Sequence, residues 1–104
     1  MAFTIVTITG NYDLPNGIDP VGTVSFTPSA PMVNGPTVVA VKVIRTLNVD
    51  GVLVIDLVAN TDPGTVPAGT NYLVEEAING IVRSYTVIIP HNAGSTINLS
   101  TLAP

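Results

Sequence analysis

Three aspartates, Asp50, Asp56 and Asp62, stand at six-residue intervals in the stretch DGVLVIDLVANTDPG. Carboxylates in such a series could hold calcium or share acid–base work, so their spacing is the first thing to weigh. A calcium loop places oxygen ligands at alternate positions of one tight turn, as in D-x-[DN]-x-[DN]-G, and nothing in the sequence has that spacing. His91 is the lone histidine and there is no cysteine, so no second imidazole or thiolate exists to complete a transition-metal set. Ser25, Ser29, Ser84, Ser95 and Ser100 include no G-x-S-x-G elbow and none has an identifiable histidine partner. The glycines of NTDPGTVPAGTNY follow no G-x-G-x-x-G pattern and precede no helix, so a phosphate cradle is not expected either. No catalytic, metal or cofactor-binding residue is therefore expected, and the expectation is a protein that is not an enzyme. Two other residue sets stay as candidates. Asn60, Thr61, Asp62, Thr65, Thr70 and Asn71 form a loop of polar side chains that could contact a ligand. Val52, Val54, Asp56 and Val58 form the outward face of a strand whose inward residues are also aliphatic, which is the pattern of a protein–protein interface. Cover by the chain's own proline-rich 28–36 segment is the alternative for that face.

Residues of these kinds need strands to position them. Val, Ile, Thr and Tyr recur in short runs bounded by Gly, Pro, Asn and Asp, without helical periodicity. The sequence predicts an all-β fold, a single seven- or eight-stranded β-sandwich over residues 1–104, with strands near 2–9, 21–27, 37–48, 52–58, 71–78, 81–89 and 95–99. Asn79-Gly80 is a type I′ turn signal, and that turn sets Ile78 opposite Ile81, Glu76 opposite Arg83, Val74 opposite Tyr85 and Tyr72 opposite Val87 on the core face. Asp50-Gly51 predicts a second hairpin. A two-residue turn would pair Val49 with Val52 and Arg45 with Asp56. The preferred three-residue loop puts Gly51 in the left-handed region, pairs Leu47 with Leu53 and Val43 with Leu57, and turns Val43, Leu47, Leu53, Ile55 and Leu57 inward. Arg45 then lies on the inner side, where it needs an edge or an acid such as Glu76. In this reading Asp50 is a turn residue, Asp56 lies on an outer strand face and Asp62 starts a turn, so the three do not converge.

Composition narrows the partners. Only 10% of residues are charged, the net charge is −4, and Lys42, Arg45 and Arg83 are the only cations, too few to neutralise a phosphate backbone. Nucleic acid is not an expected partner. Residues 20–41 carry no charge, but prolines at 20, 28, 31 and 36 break any spanning helix, so no membrane insertion is expected. MAFTIVTITG lacks a basic leader and argues against a signal peptide, and without one the Asn98-Leu99-Ser100 triplet reads as a chance match to a glycosylation site.

Residues 7–29, TITGNYDLPNGIDPVGTVSFTPS, and residues 50–90 resemble a small β-sandwich module of tailed-phage virion proteins, similar in character to the prealbumin-like or carboxypeptidase-regulatory-like fold. The module is found especially in minor tail proteins of phages infecting actinobacteria. The residues that carry the resemblance are G-T-V-x-F-T-P-S at 22–29, the D-G turn at 50–51, T-D-P-G at 61–64, Tyr72-x-Val74-x-Glu76, Arg83-x-Tyr85-x-Val87-x-Ile89-Pro90 and the closing INLSTLAP. Residues 30–48 depart most from the pattern. The resemblance implies a structural or adhesive role in a virion, made in the host cytoplasm, with other virion proteins as partners and no catalytic residue to carry over. A stand-alone module would gain avidity from copy number, so a homo-oligomer, trimer or higher, is expected. A capsid decoration protein on the phage head is the first alternative. The second is a carbohydrate-binding adhesin whose 60–71 loop, with Tyr12, contacts a host cell-surface glycan.

Overall fold

The computed structural model describes residues 3–102. Its strands are β1 (Ile5–Asn11), β2 (Gly22–Pro28), β3 (Met32–Asn34), β4 (Thr37–Val39), β5 (Val43–Thr46), β6 (Val52–Val58), β7 (Tyr72–Ile78), β8 (Ile81–Val87) and β9 (Thr96–Asn98), followed by a 3-10 turn at Leu99–Thr101. The start of the first expected strand, residue 2, lies outside the described residues, as do Ala103 and Pro104 at the end of INLSTLAP. The sandwich has one sheet in the order β6-β1-β9, with β9 parallel to β1, and a facing sheet in the order β5-β2-β7-β8. A separate two-stranded sheet, β3-β4, makes nine strands among the described residues. That exceeds the seven or eight expected, and proline explains the excess. Pro31 and Pro36 leave only three-residue runs between them and the break at 40–42. The pair Gly35-Pro36 turns the chain with Gly35 at φ 58°, a conformation that suits glycine. The expected 37–48 strand is accordingly split into β4 and β5.

Alternation along each strand builds the core. Val6 and Ile8 of β1, Leu53, Ile55 and Leu57 of β6, and Ile97 of β9 face Val24 and Phe26 of β2, Tyr72 and Val74 of β7, and Val87 after β8's exposed run. Tyr72 meets Phe26 edge-on, centroids 6.4 Å apart at 87°, an arrangement that adds about 0.5–1.5 kcal/mol beyond area burial. Its hydroxyl donates to the Val58 carbonyl across the sandwich at 2.7 Å, so the ring spans both sheets with no orphaned polar atom.

The Asn79-Gly80 hairpin has the expected register at all four pairs, and both central residues have positive φ, 49° and 81°. Its inward face is core from Tyr72 to Glu76 but not at the turn, where Ile81 is 74% exposed because the opposite sheet does not reach that far. The Asp50-Gly51 hairpin does not form in either register. β5 pairs with β2, Phe26 opposite Val43 and Val24 opposite Arg45, while β6 pairs with β1. Asp50-Gly51 turns the chain from one sheet to the other. This crossing lets Leu47 enter the same core from one sheet as Leu53, Ile55 and Leu57 enter from the other, whereas a hairpin would put all four on one face of one sheet. Gly51 does take the left-handed conformation, φ 71°, and a Cβ there would meet the Tyr12 carbonyl at 2.7 Å. Val43 and Arg45 keep the inward pleat but are exposed, because edge strand β5 overhangs the core.

Candidate functional site

A polar cluster lies at one end of the sandwich around a buried carboxylate, that of Glu76, a residue only 5% exposed. Glu76 sits mid-β7 on the inward face, where the register places Arg83 of β8 directly opposite. Arg83 Nε donates to Glu76 Oε1 at 2.7 Å, Tyr85 Oη donates to Oε2 at 3.0 Å, and the Tyr12 hydroxyl, at the end of β1 in the other sheet, donates a very short bond to the same Oε2. The Arg83 guanidinium also lies 4.8 Å from the centre of the Tyr85 ring, within cation–π range. Burial alone would raise the Glu76 carboxyl. Donation from Arg83, Tyr12 and Tyr85, with the Arg83 charge, outweighs it and holds the group below the usual carboxylate range. Tyr12 and Tyr85 are pushed up, first by burial and then by their bonds to Glu76, so both remain protonated. A carboxylate held ionised beside phenols held protonated is poorly suited to move protons near neutrality. It is well suited to tie β1, β7 and β8 together.

A cavity of about 170 Å³ opens beside this cluster, with Asn11, Asn98 and Ser100 on its far wall. Asn98 Oδ1 accepts from the Ser100 N–H at 3.0 Å and caps the 3-10 turn, so the Asn-Leu-Ser triplet has a local structural use. The sequence register sets Glu76 opposite Arg83 and leaves Arg45 either an edge or an acid such as Glu76; Arg45 takes the edge, exposed on β5 and two strands away from Glu76. Tyr12 escapes the sequence altogether as a partner of Glu76, being 64 positions distant and in the other sheet.

At the opposite end, five of the six polar loop residues, Asn60, Thr61, Asp62, Thr65 and Thr70, line one groove of about 340 Å³. Several of their polar atoms are engaged in holding the loop. Asn60 is buried and exchanges bonds with Ile89, its Oδ1 accepting the Ile89 N–H at 2.8 Å. Thr70 and Thr65 are buried, Thr70 donating to the Met32 sulfur at 2.9 Å and Thr65 accepting from Asn34 Nδ2 at 3.0 Å. Asp62 accepts from the N–H and hydroxyl of Thr4 at 2.6 and 2.7 Å, and Thr61 pairs with His91 Nδ1 at 2.7 Å. Asn71 lies outside the groove and binds Ser29 through its backbone. The three aspartates stay apart, as their spacing implies: Asp56 accepts from Thr7 on the outer face and the Asp50 N–H is held by Asn48. No group of three or more His, Cys, Asp or Glu side chains gathers among the described residues.

The outward face of β6 is aliphatic along most of its length. Val52, Val54, Asp56 and Val58 stand opposite Asn11, Thr9, Thr7 and Ile5 of β1. Val54 is 52% exposed and Ile5, opposite Val58, is exposed as well, while Val52 and Val58 are half-buried. The proline-rich 28–36 segment leaves Val54 open. Its hairpin reaches the other way, exchanging backbone bonds between Val33 and Val66 at 2.9 and 2.8 Å. No protein-family model matches the chain, and no curated protein sequence matches it either.

Proposed function

We propose that the chain is a non-enzymatic structural protein of a tailed-phage virion, a tail-associated subunit acting in assembly or surface attachment. The observation that carries this reading is the character of the surface. Large aliphatic side chains stand in solvent on both sheets and at the loops, Ile5 and Val54 on one sheet, Ile44 and Val82 on the other, and Val21 and Val49 at turns. Between them lie mainly Thr, Ser and Asn, in a chain with only three cations and seven anions. A neutral, partly aliphatic exterior on a rigid sandwich suits close packing among protein neighbours. The segments that resemble phage virion modules support the same reading. Tyr72, Val74 and Glu76 of one segment and Arg83, Tyr85 and Val87 of the other form facing rows that hold the sandwich together, so the resemblance falls on scaffold. The test is the protein composition of purified particles by quantitative mass spectrometry. The expected result is this chain in several copies per particle; its absence from particles that retain the other virion proteins would sink the proposal.

A further inference from the structure

β8 is a free edge. It pairs with β7 along the whole of Ile81–Val87, and no strand lies on its other side among the described residues. The two-residue turn at Asn79-Gly80 fixes which of its backbone groups are used. Ile78 and Ile81 close that turn as a hydrogen-bonded pair, so the N–H and C=O groups of Ile81, Arg83, Tyr85 and Val87 point toward β7. Those of Val82, Ser84 and Thr86 point away from the sheet. The alternation continues through Ile88, because Ile89 directs its own N–H and C=O to Asn60, both at 2.8 Å.

Exposed edges are usually blunted by proline, lysine, a bulge or a covering loop. This edge has an uninterrupted register, no proline before Pro90, and a single charge, Arg83, which is engaged with Glu76 on the inner face. Its outward-facing side chains are Val82, Ser84, Thr86 and Ile88, with Val82 69% and Ile88 52% exposed. The order aliphatic, hydroxyl, hydroxyl, aliphatic reads the same in both directions.

We propose that β8 pairs antiparallel with β8 of a second copy of this chain, about a two-fold axis at Tyr85, joining two four-stranded sheets into one of eight. In this register Val82 of one copy stands opposite Ile88 of the other, and Ser84 opposite Thr86. All four outward residues are then hydrogen-bonded pairs, and both exposed aliphatics gain an aliphatic neighbour. Arg83 falls opposite Val87, so the one charge on the strand does not meet itself. Moving the axis to Ser84 would set Val82 against Thr86 and leave Ile88 without a partner, which is why the Tyr85-centred register is selected. The interface is isologous, as a two-fold requires. It uses neither the outer face of β6 nor the 60–71 loop, and it does not depend on where in a particle the chain resides.

The test is sedimentation equilibrium of the purified chain over a dilution series. The expected mass is twice the 10.7 kDa of the chain, a two-fold pair in place of the trimer or higher oligomer expected from copy number. Ser84→Pro removes an N–H that the β7 ladder does not use, and halves the mass with the far-ultraviolet spectrum unchanged. Should that variant not fold, Val82→Lys carries the same test, since its side chain lies in solvent in the monomer. The chain has no cysteine, so the register is read by disulfide formation. Mixed Ser84→Cys and Thr86→Cys chains cross-link, and neither alone does. A monomeric wild type, an oligomer that folded Ser84→Pro and Val82→Lys leave intact, or self-linking of Ser84→Cys would each overturn the proposal.

Discussion

Glu76 shows how a buried charge is made tolerable and what that costs. Three donors from β1 and β8 meet its two oxygens, and the described chain leaves no buried side-chain polar atom without a partner. Glu76→Ala would strand two tyrosine hydroxyls and open the cavity beside them. We expect a loss of about 1–3 kcal/mol in urea unfolding, with Glu76→Gln losing less because an amide oxygen in the place of Oε2 still accepts from both tyrosines. The Arg83 share is the smaller part, because that side chain is mostly in solvent. A Glu76→Ala variant within about 0.5 kcal/mol of wild type would contradict this account of the cluster. The same geometry sets a pH dependence. Because the folded carboxyl lies below its ordinary value of 4.5, its contribution is complete above that value and is lost as pH falls through the lower folded value. Tyr12, Tyr72 and Tyr85 shift the other way. Their protonated folded forms stabilise the protein below 10.0, the ordinary tyrosine value, and stability declines above it as the unfolded chain ionises. Thermal unfolding across pH should therefore show a plateau between these two values, and Glu76→Gln should flatten its acid limb. An acid limb identical to that of wild type would count against the assignment.

Strand pairing depends on close approaches that only some residues permit. At the start of β2, a Cβ on Gly22 would lie 2.1 Å from the Ala77 carbonyl oxygen and 2.9 Å from Ile78 Cα. Both are backbone atoms that cannot rotate away, so Gly22→Ala should cost about 1–3 kcal/mol by forcing β2 and β7 apart. Denaturant unfolding that finds it neutral would contradict the pairing there. The elements also show which signals a sequence carries. The β7–β8 register was legible because Asn79-Gly80 admits one tight turn and the flanking alternation then leaves no choice. The β5–β6 hairpin was not, because Asp50-Gly51 signals a reversal of the chain without saying whether the two arms pair. β1, some forty residues earlier, offers β6 a better edge. The β3–β4 hairpin was hidden by its prolines. The loop groove was visible because its lining residues are consecutive, whereas Tyr12 reaches Glu76 only through the stacking of two sheets, which local pattern does not encode.

At the scale of the whole molecule, the chain is an elongated sandwich of 46 × 23 × 22 Å whose long sides are its strand faces and edges. Opposite ends carry the Glu76 cluster and the 60–70 groove, and the sides between them present aliphatic and hydroxyl side chains with few charges. A body of this kind can stack or pair laterally through its sides, which is the geometry the structural reading requires. The most direct measurement is immunogold electron microscopy of intact particles with an antibody against the folded chain. Gold is expected on the tail, at more than one position per particle. Gold confined to heads would replace the tail assignment with capsid decoration, and gold on neither, with the antibody shown to bind the purified chain, would contradict a structural role in the virion.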